Sequence, residues 1–138
     1  MTEAQVSLAE RQAIHVEDVP WIDFERDGVL VSIDLEPGAC FRPLMDDPTS
    51  EALFVYVKFS PNYRTPAHWH PSNTIYIITK GEFLVEGEET PYRPGDVRWV
   101  KGGKTYGAEL AGPEGCEFYL ASLGPFGTHV PDEEHGLG

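Results

Sequence analysis

The sequence lacks most of the features that mark the commoner enzyme and binding classes. It has two cysteines, Cys40 and Cys116, which lie far apart and fit no CxxC pattern. Neither a zinc knuckle nor a redox pair is therefore indicated, and two free, buried thiols are expected. Basic residues are scarce: Lys and Arg total 10 against 23 Asp and Glu, a formal charge of −13. Such a chain repels a phosphate backbone and an anionic bilayer, so neither nucleic acid nor membrane is expected as a partner. No apolar run approaches the roughly 18 residues of a membrane helix. The opening MTEAQ has neither the basic nor the apolar region of a secretion signal, and a reduced, cytoplasmic location is expected. There is no GxSxG elbow, no Gly-rich loop leading into a helix, no HExxH and no P-loop, which argues against a serine hydrolase, a nucleotide enzyme and a zincin.

What is present points to one small all-β domain. The chain has 138 residues, 41% of them hydrophobic and 12% aromatic, enough to bury a core without disulfides. Twelve prolines leave little room for long helices. Beyond Pro20, short apolar or alternating runs follow one another: GVLVSIDL, EALFVYVKF, NTIYIIT, EFLV, VRWV, KTYGAEL and CEFYLASL. Pro37-Gly38, Lys80-Gly81, Glu86-Gly87, Pro94-Gly95 and Gly102-Gly103 supply turn chemistry between them, the pattern of a β-sandwich or barrel. The expected division is an N-terminal arm over 1–27, a barrel over 28–128 and an acidic tail over 129–138. The arm carries 2 basic and 7 acidic residues and the tail none and 3. Most of the charge excess thus lies outside the barrel and serves solubility.

Period two assigns faces. In LFVYVKF, Leu53, Val55, Val57 and Phe59 share one side and Phe54, Tyr56 and Lys58 the other. Both sides are largely apolar, which implies that one lines the barrel and the other meets a second sheet or a second subunit; a homodimer is expected. Trp69, Tyr76, Trp99 and Phe118 are expected in the core, Arg98 and Lys104 at the surface, and Glu86, Glu88 and Glu89 in an acidic hairpin. His129 and His135 fall in the tail.

His68-Trp69-His70 is the most specific local feature. In an extended segment the two imidazoles fall on one face and can enter one pocket, as two ligands of one metal must. Thr74, Tyr76 and Ile78 then share the interior parity, placing an aromatic wall beside the histidines that suits a small, modestly polar substrate.

The spacing Asn62, His68, His70, Thr74, Gly81, followed by Gly95, Lys101, Gly103, Tyr106, Leu110, resembles the two signature motifs of the cupin superfamily. The match spans residues 50 to 122, with Thr74 where the motif has glutamate and Tyr106 where it has histidine. The resemblance implies a cupin-type double-stranded β-helix, or jelly-roll barrel. It is loosely similar to single-domain cupins of the acetylacetone and dihydroxyacetophenone dioxygenase type. By that likeness His68 and His70 are metal ligands, with Glu88 or Tyr106 as the third, and the ion is divalent: Fe(II) first, then Zn, Mn or Ni. The first function implied is a metal-dependent dioxygenase that cleaves a C–C bond of a diketone or hydroxyketone, with Thr74, Tyr76 and Tyr106 around the substrate. The alternatives are a lyase, cyclase or isomerase using His68, His70 and Tyr106 as acid and base, and a non-catalytic small-molecule-binding cupin.

Overall fold

The computed structural model describes residues 13–23, 38–47 and 49–128. The expected strand GVLVSIDL, most of the arm, His129, His135 and the acidic tail lie outside the described residues. Apart from a short 3-10 turn at Val16–Asp18, the described elements are strands: β1 (Ile22–Asp23), β2 (Ala39–Asp46), β3 (Leu53–Phe59), β4 (Thr74–Val85), β5 (Val97–Val100) and β6 (Glu109–Ser122). They form one antiparallel sheet in the order β1-β2-β3-β6-β4-β5. Among the described residues no helix is long and apolar enough to cross a membrane.

Two pairs of expected strands are single long ones. NTIYIIT and EFLV join as β4, and the end of KTYGAEL, Glu109-Leu110, runs on into CEFYLASL as β6. Lys80-Gly81 is therefore not a turn between strands. It lies within β4, where the β4–β6 register shifts twice, between Ile78 and Lys80 and between Gly81 and Phe83. Bulges of this kind bend a strand without ending its pairing, as a barrel corner requires. Beyond the bend the distal half of β6, with Tyr106 just before it, meets the segment 62–70 through bridges and hydrogen bonds, among them Arg64 to Leu110, His68 to Tyr106 and Thr65 N–H to Glu109 O. The two walls enclose one core containing Phe41, Val55, Val57, Phe59, Tyr76, Phe83, Phe118 and Leu120. β2 had no counterpart among the expected strands because Pro43 cannot donate to a ladder; a register shift between Pro43 and Met45 absorbs it.

The outer face of β3 is covered by this chain's own aromatics. Phe54 stacks on Tyr119, Tyr56 meets Tyr119 edge-on, and Trp21 lies against Tyr56 with Arg42 and Lys58 over its indole. Trp69, Tyr76 and Phe118 are buried as expected, but Trp99 is 57% exposed and Arg98 is 6% exposed. The short edge strand thus inverts the expected arrangement: its parity turns Val97 and Trp99 outward and Arg98 inward. Cys40 and Cys116 form no disulfide; Cys116 is buried and Cys40 half-buried.

Gly81 has φ +69°, and a Cβ there would sit on the Gly115 carbonyl oxygen. Gly95 has φ +95° but open space around it. Gly95→Ala is expected to cost about 1 kcal/mol, backbone strain alone, and Gly81→Ala about 3 kcal/mol or more, since strain is joined by an overlap with backbone that cannot yield. Equal losses in chemical denaturation would contradict the close approach of β4 and β6.

Burial pushes the Tyr56 phenol up to about 12 and, with Glu109 and Glu117 adding to it, the Cys116 thiol up to about 12. Both groups hold their proton more tightly folded than unfolded. Their contribution is complete below the ordinary values of 9.0 and 10.0 and is lost as pH rises toward about 12. Denaturation midpoints are expected to fall above about pH 9; a level midpoint through that range would contradict this.

Candidate functional site

The four glycine places of the two motifs hold a common conformation: Asn62, Gly81, Gly95 and Gly103 all have positive φ, at 60°, 69°, 95° and 79°. Asn62 adopts the left-handed region that glycine occupies readily and asparagine tolerates. Asn62 precedes the segment carrying both histidines and Gly103 N–H donates to His70 O; His68 is 3% and His70 5% exposed.

Each imidazole is locked by a carbonyl. His68 Nδ1 lies 2.7 Å from Pro66 O and His70 Nδ1 2.7 Å from Gly127 O. A carbonyl only accepts, so each Nδ1 carries the hydrogen, and in the neutral ring each Nε2 presents its lone pair. The strap after β6 makes the second lock. Leu123 N–H donates to Asn73 O, Ser72 Oγ donates to Pro125 O, and the Phe126 ring stacks on His70 with centroids 4.9 Å apart.

Two phenols and a carboxylate complete the cluster. Tyr76 Oη donates to Glu109 Oε2 at 2.8 Å, lies 2.8 Å from Tyr106 Oη and 3.5 Å from His70 Nε2. Tyr106 Oη lies 3.1 Å from His68 Nε2, and Glu109 Oε1 lies 3.6 Å from the same nitrogen. Glu109 is 3% exposed. Burial pushes both phenols well above the ordinary tyrosine value, and the Glu109 charge pushes them further. At neutral pH they are hydroxyl donors, not phenolates. The two phenol hydroxyls thus face three acceptors, the Nε2 atoms of His68 and His70 and the Glu109 carboxylate.

The cavity is lined by His68, His70, Tyr76, Glu109, Thr65 and Thr128 on its polar side and by Val57, Phe59, Phe118, Leu120 and Phe126 on the other. Its volume is about 50 Å³, space for a few waters. Thr74 is fully buried on the Tyr76 side of β4, with its hydroxyl lacking a hydrogen-bond partner, and it does not line the cavity. Glu88 sits on the hairpin behind β5, where its carboxylate accepts from Tyr92 Oη and Arg98 Nη2 at 2.6 and 2.8 Å. Burial works to raise its pKa, but those two bonds and the guanidinium charge hold it below the usual carboxylate value.

The side chains do not fit a metal ion as they stand. Phenol hydroxyls lie against both Nε2 atoms, Glu109 is tied to Tyr76, and Glu88 is engaged elsewhere. Among the described residues no three of His, Cys, Asp and Glu are arranged to hold one. Sequence reasoning missed Glu109 and misplaced Arg98. Glu109 shares the inward parity of Ala111 in β6, and an acidic residue at such a position was the one available signal.

Comparisons with known proteins agree with this architecture. A model of the ChrR cupin-like domain family matches residues 9–126. Among solved structures, an acetylacetone dioxygenase from Acinetobacter johnsonii aligns at TM-score 0.72 with 17% identity, over 100% of this chain and 90% of its own. The polyketide cyclase RemF from Streptomyces resistomycificus aligns at TM-score 0.65 with 20% identity, over 91% and 88%. The anti-sigma factor ChrR, solved with SigE from Rhodobacter sphaeroides, gives TM-score 0.57 and 19% identity over 78% of this chain and 51% of that one. No curated protein matches the sequence. At these identities the structures establish the jelly-roll fold expected from the motifs, and with most of its length matched by the family model, the chain belongs to the ChrR cupin-like domain family.

Proposed function

We propose that this protein is a small-molecule enzyme that moves protons on a compact, largely apolar carbonyl compound, in the manner of an isomerase, cyclase or lyase. The observation that carries this is the hydrogen-bonded chain His68, Tyr106, Tyr76, Glu109, of which His68, Tyr76 and Glu109 line the polar side of a pocket whose other side is apolar. The fold does not choose between chemistries, since solved structures of this shape include both a dioxygenase and a cyclase.

In this reading the ligand enters beneath Phe126 and lies against Val57, Phe118 and Leu120. Once the Tyr106 hydroxyl turns from His68 toward Tyr76, His68 Nε2 takes the proton from the carbon beside the carbonyl, and Glu109 at 3.6 Å balances the imidazolium. The His68–Tyr106 bond then reverses: Nε2–H donates to the Tyr106 oxygen, Tyr106 donates to Tyr76, and the Tyr76 hydroxyl donates to the enolate oxygen. One proton leaves carbon and one arrives at the enolate oxygen; the hydrogen that Nε2 gave to Tyr106 again faces His68, and the Tyr76 hydroxyl, now carrying the Tyr106 proton, rotates back to Glu109 to restore the starting network. Thr65 and Thr128 supply further polar contacts in the wall.

The metal-dependent dioxygenase is the second reading, favoured by the carbonyl locks that leave both Nε2 lone pairs facing inward. A homodimer draws support from Ile77, Val97 and Trp99, which are exposed side by side on the β4–β5 edge. Light scattering is expected to give a mass of about two chains; a mass of one chain would remove the dimer.

Two measurements separate the enzymatic readings. In D2O the protein is expected to speed exchange of the enolisable C–H of small diketones and hydroxyketones, with His68→Ala and Glu109→Gln each losing about 100-fold or more. No acceleration across the panel would sink the proton-transfer reading. One metal per chain in protein purified without chelator, lost in His68→Ala, together with oxygen uptake on the same ketones, would put the dioxygenase in its place.

A further inference from the structure

Arg98 is the charged group that the chemistry above leaves unused. It belongs to the four-residue edge strand β5, opposite Tyr76 in the β4–β5 register. Its neighbours Val97 and Trp99 are 60% and 57% exposed, yet Arg98 itself is 6% exposed. One hydrogen bond anchors it, from Nη2 to Glu88 Oε2 at 2.8 Å. Tyr92 Oη fixes the other oxygen of Glu88 at 2.6 Å, so the anchor is held on both sides. Nε and Nη1 are buried with no hydrogen-bond partner. In place of partners the guanidinium meets ring faces: its carbon lies 4.8 Å from the Tyr106 centroid, 5.7 Å from Tyr76 and 5.8 Å from Tyr92. Arg98 does not line the cavity. It lies behind the phenols whose hydroxyls reach His68 and Glu109.

We propose that Arg98 is a positioning residue of the site: held by Glu88, its guanidinium fixes the rings of Tyr106 and Tyr76 from behind and sets their hydroxyls toward His68 and Glu109. A cation over an aromatic face is attracted by the ring quadrupole, which orients the ring and withdraws electron density from its hydroxyl, making that hydroxyl a stronger donor. The positive charge also offsets the buried negative charge of Glu109. A purely structural account is available, because inward charges on edge strands guard against edge-to-edge pairing. That account does not require the cation to lie on the two ring faces of the site, or to leave two of its donors unmatched. Glu88 acquires a role in the site that is exercised through Arg98.

The catalytic meaning of this arrangement rests on the proton-transfer reading, whereas the arrangement itself does not, so the test uses a readout that needs no substrate. Ultraviolet resonance Raman spectra report tyrosine hydrogen bonding through the ring Fermi doublet. In a Tyr92→Phe background, which removes the phenol that donates to Glu88 directly, Arg98→Met and Glu88→Gln in the full chain are each expected to change the tyrosine doublet, and a further Tyr106→Phe is expected to abolish most of that change. Glu88→Gln, at an exposed anchor, keeps the test decisive where Arg98→Met does not fold. Unchanged doublets in folded variants, with loss of thermal stability only, would overturn the proposal and leave Arg98 as an edge guard. A changed doublet in a protein that exchanges no ketone protons would support the positioning role while removing the proton-transfer reading.

Discussion

The site depends on how one buried carboxylate is matched. Glu109 stands on the inner face of β6 at 3% exposure, and an ionised carboxylate in such a place costs several kcal/mol unless it is bonded and balanced. Tyr76 supplies the bond from the neighbouring strand, His68 lies within ion-pair distance, and Arg98 brings a positive charge from behind the phenols. Remove Glu109, and Tyr76 loses the acceptor that fixes its hydroxyl. Tyr106 then loses its orientation, and His68 loses the carboxylate beside its Nε2. The carboxylate makes the two histidines, the two phenols and the arginine one interacting set.

The barrel makes that set possible by bending its long strands. β4 carries Tyr76 before its bulges and Phe83 after them, and β6 carries Glu109 in its distal half and Phe118 in its proximal half. A straight strand would place these pairs too far apart to close around one cavity. Gly81 at the bend lets β4 approach Gly115 closely, and the strap after Ser122 closes the mouth by holding His70 through Gly127 O. The lock on the second histidine therefore comes from a segment 57 residues further along the chain.

Much of this was legible in the sequence, and the remainder for identifiable reasons was not. Parity alone placed Thr74, Tyr76 and Ile78 on the interior, and all three are buried. The HxH spacing put both imidazoles in one pocket. Glycine spacing identified the fold because those places demand positive φ, which Asn62 also meets. Lys80-Gly81 read as a turn because the same residue type ends strands and bends them, and only the partner strand decides which. Pro43 hid β2 for a similar reason. Arg98 and Trp99 were exchanged, core for surface, because residue type outweighed parity in a four-residue strand. Glu109 was missed because a lone acidic residue at an inward position is recognisable only once its phenol partner from another strand is known.

Whether this cluster is a proton network or a displaced metal site turns on where its hydrogens lie, and neutron diffraction from a perdeuterated crystal locates them directly. The account predicts deuterium on Nδ1 of both His68 and His70, the Tyr76 hydroxyl pointing at Glu109, and Nε2 of His68 accepting from Tyr106. An Nε2-protonated His68 with bare Nδ1, or a metal ion seated between the two Nε2 atoms with the phenols swung away, would contradict it.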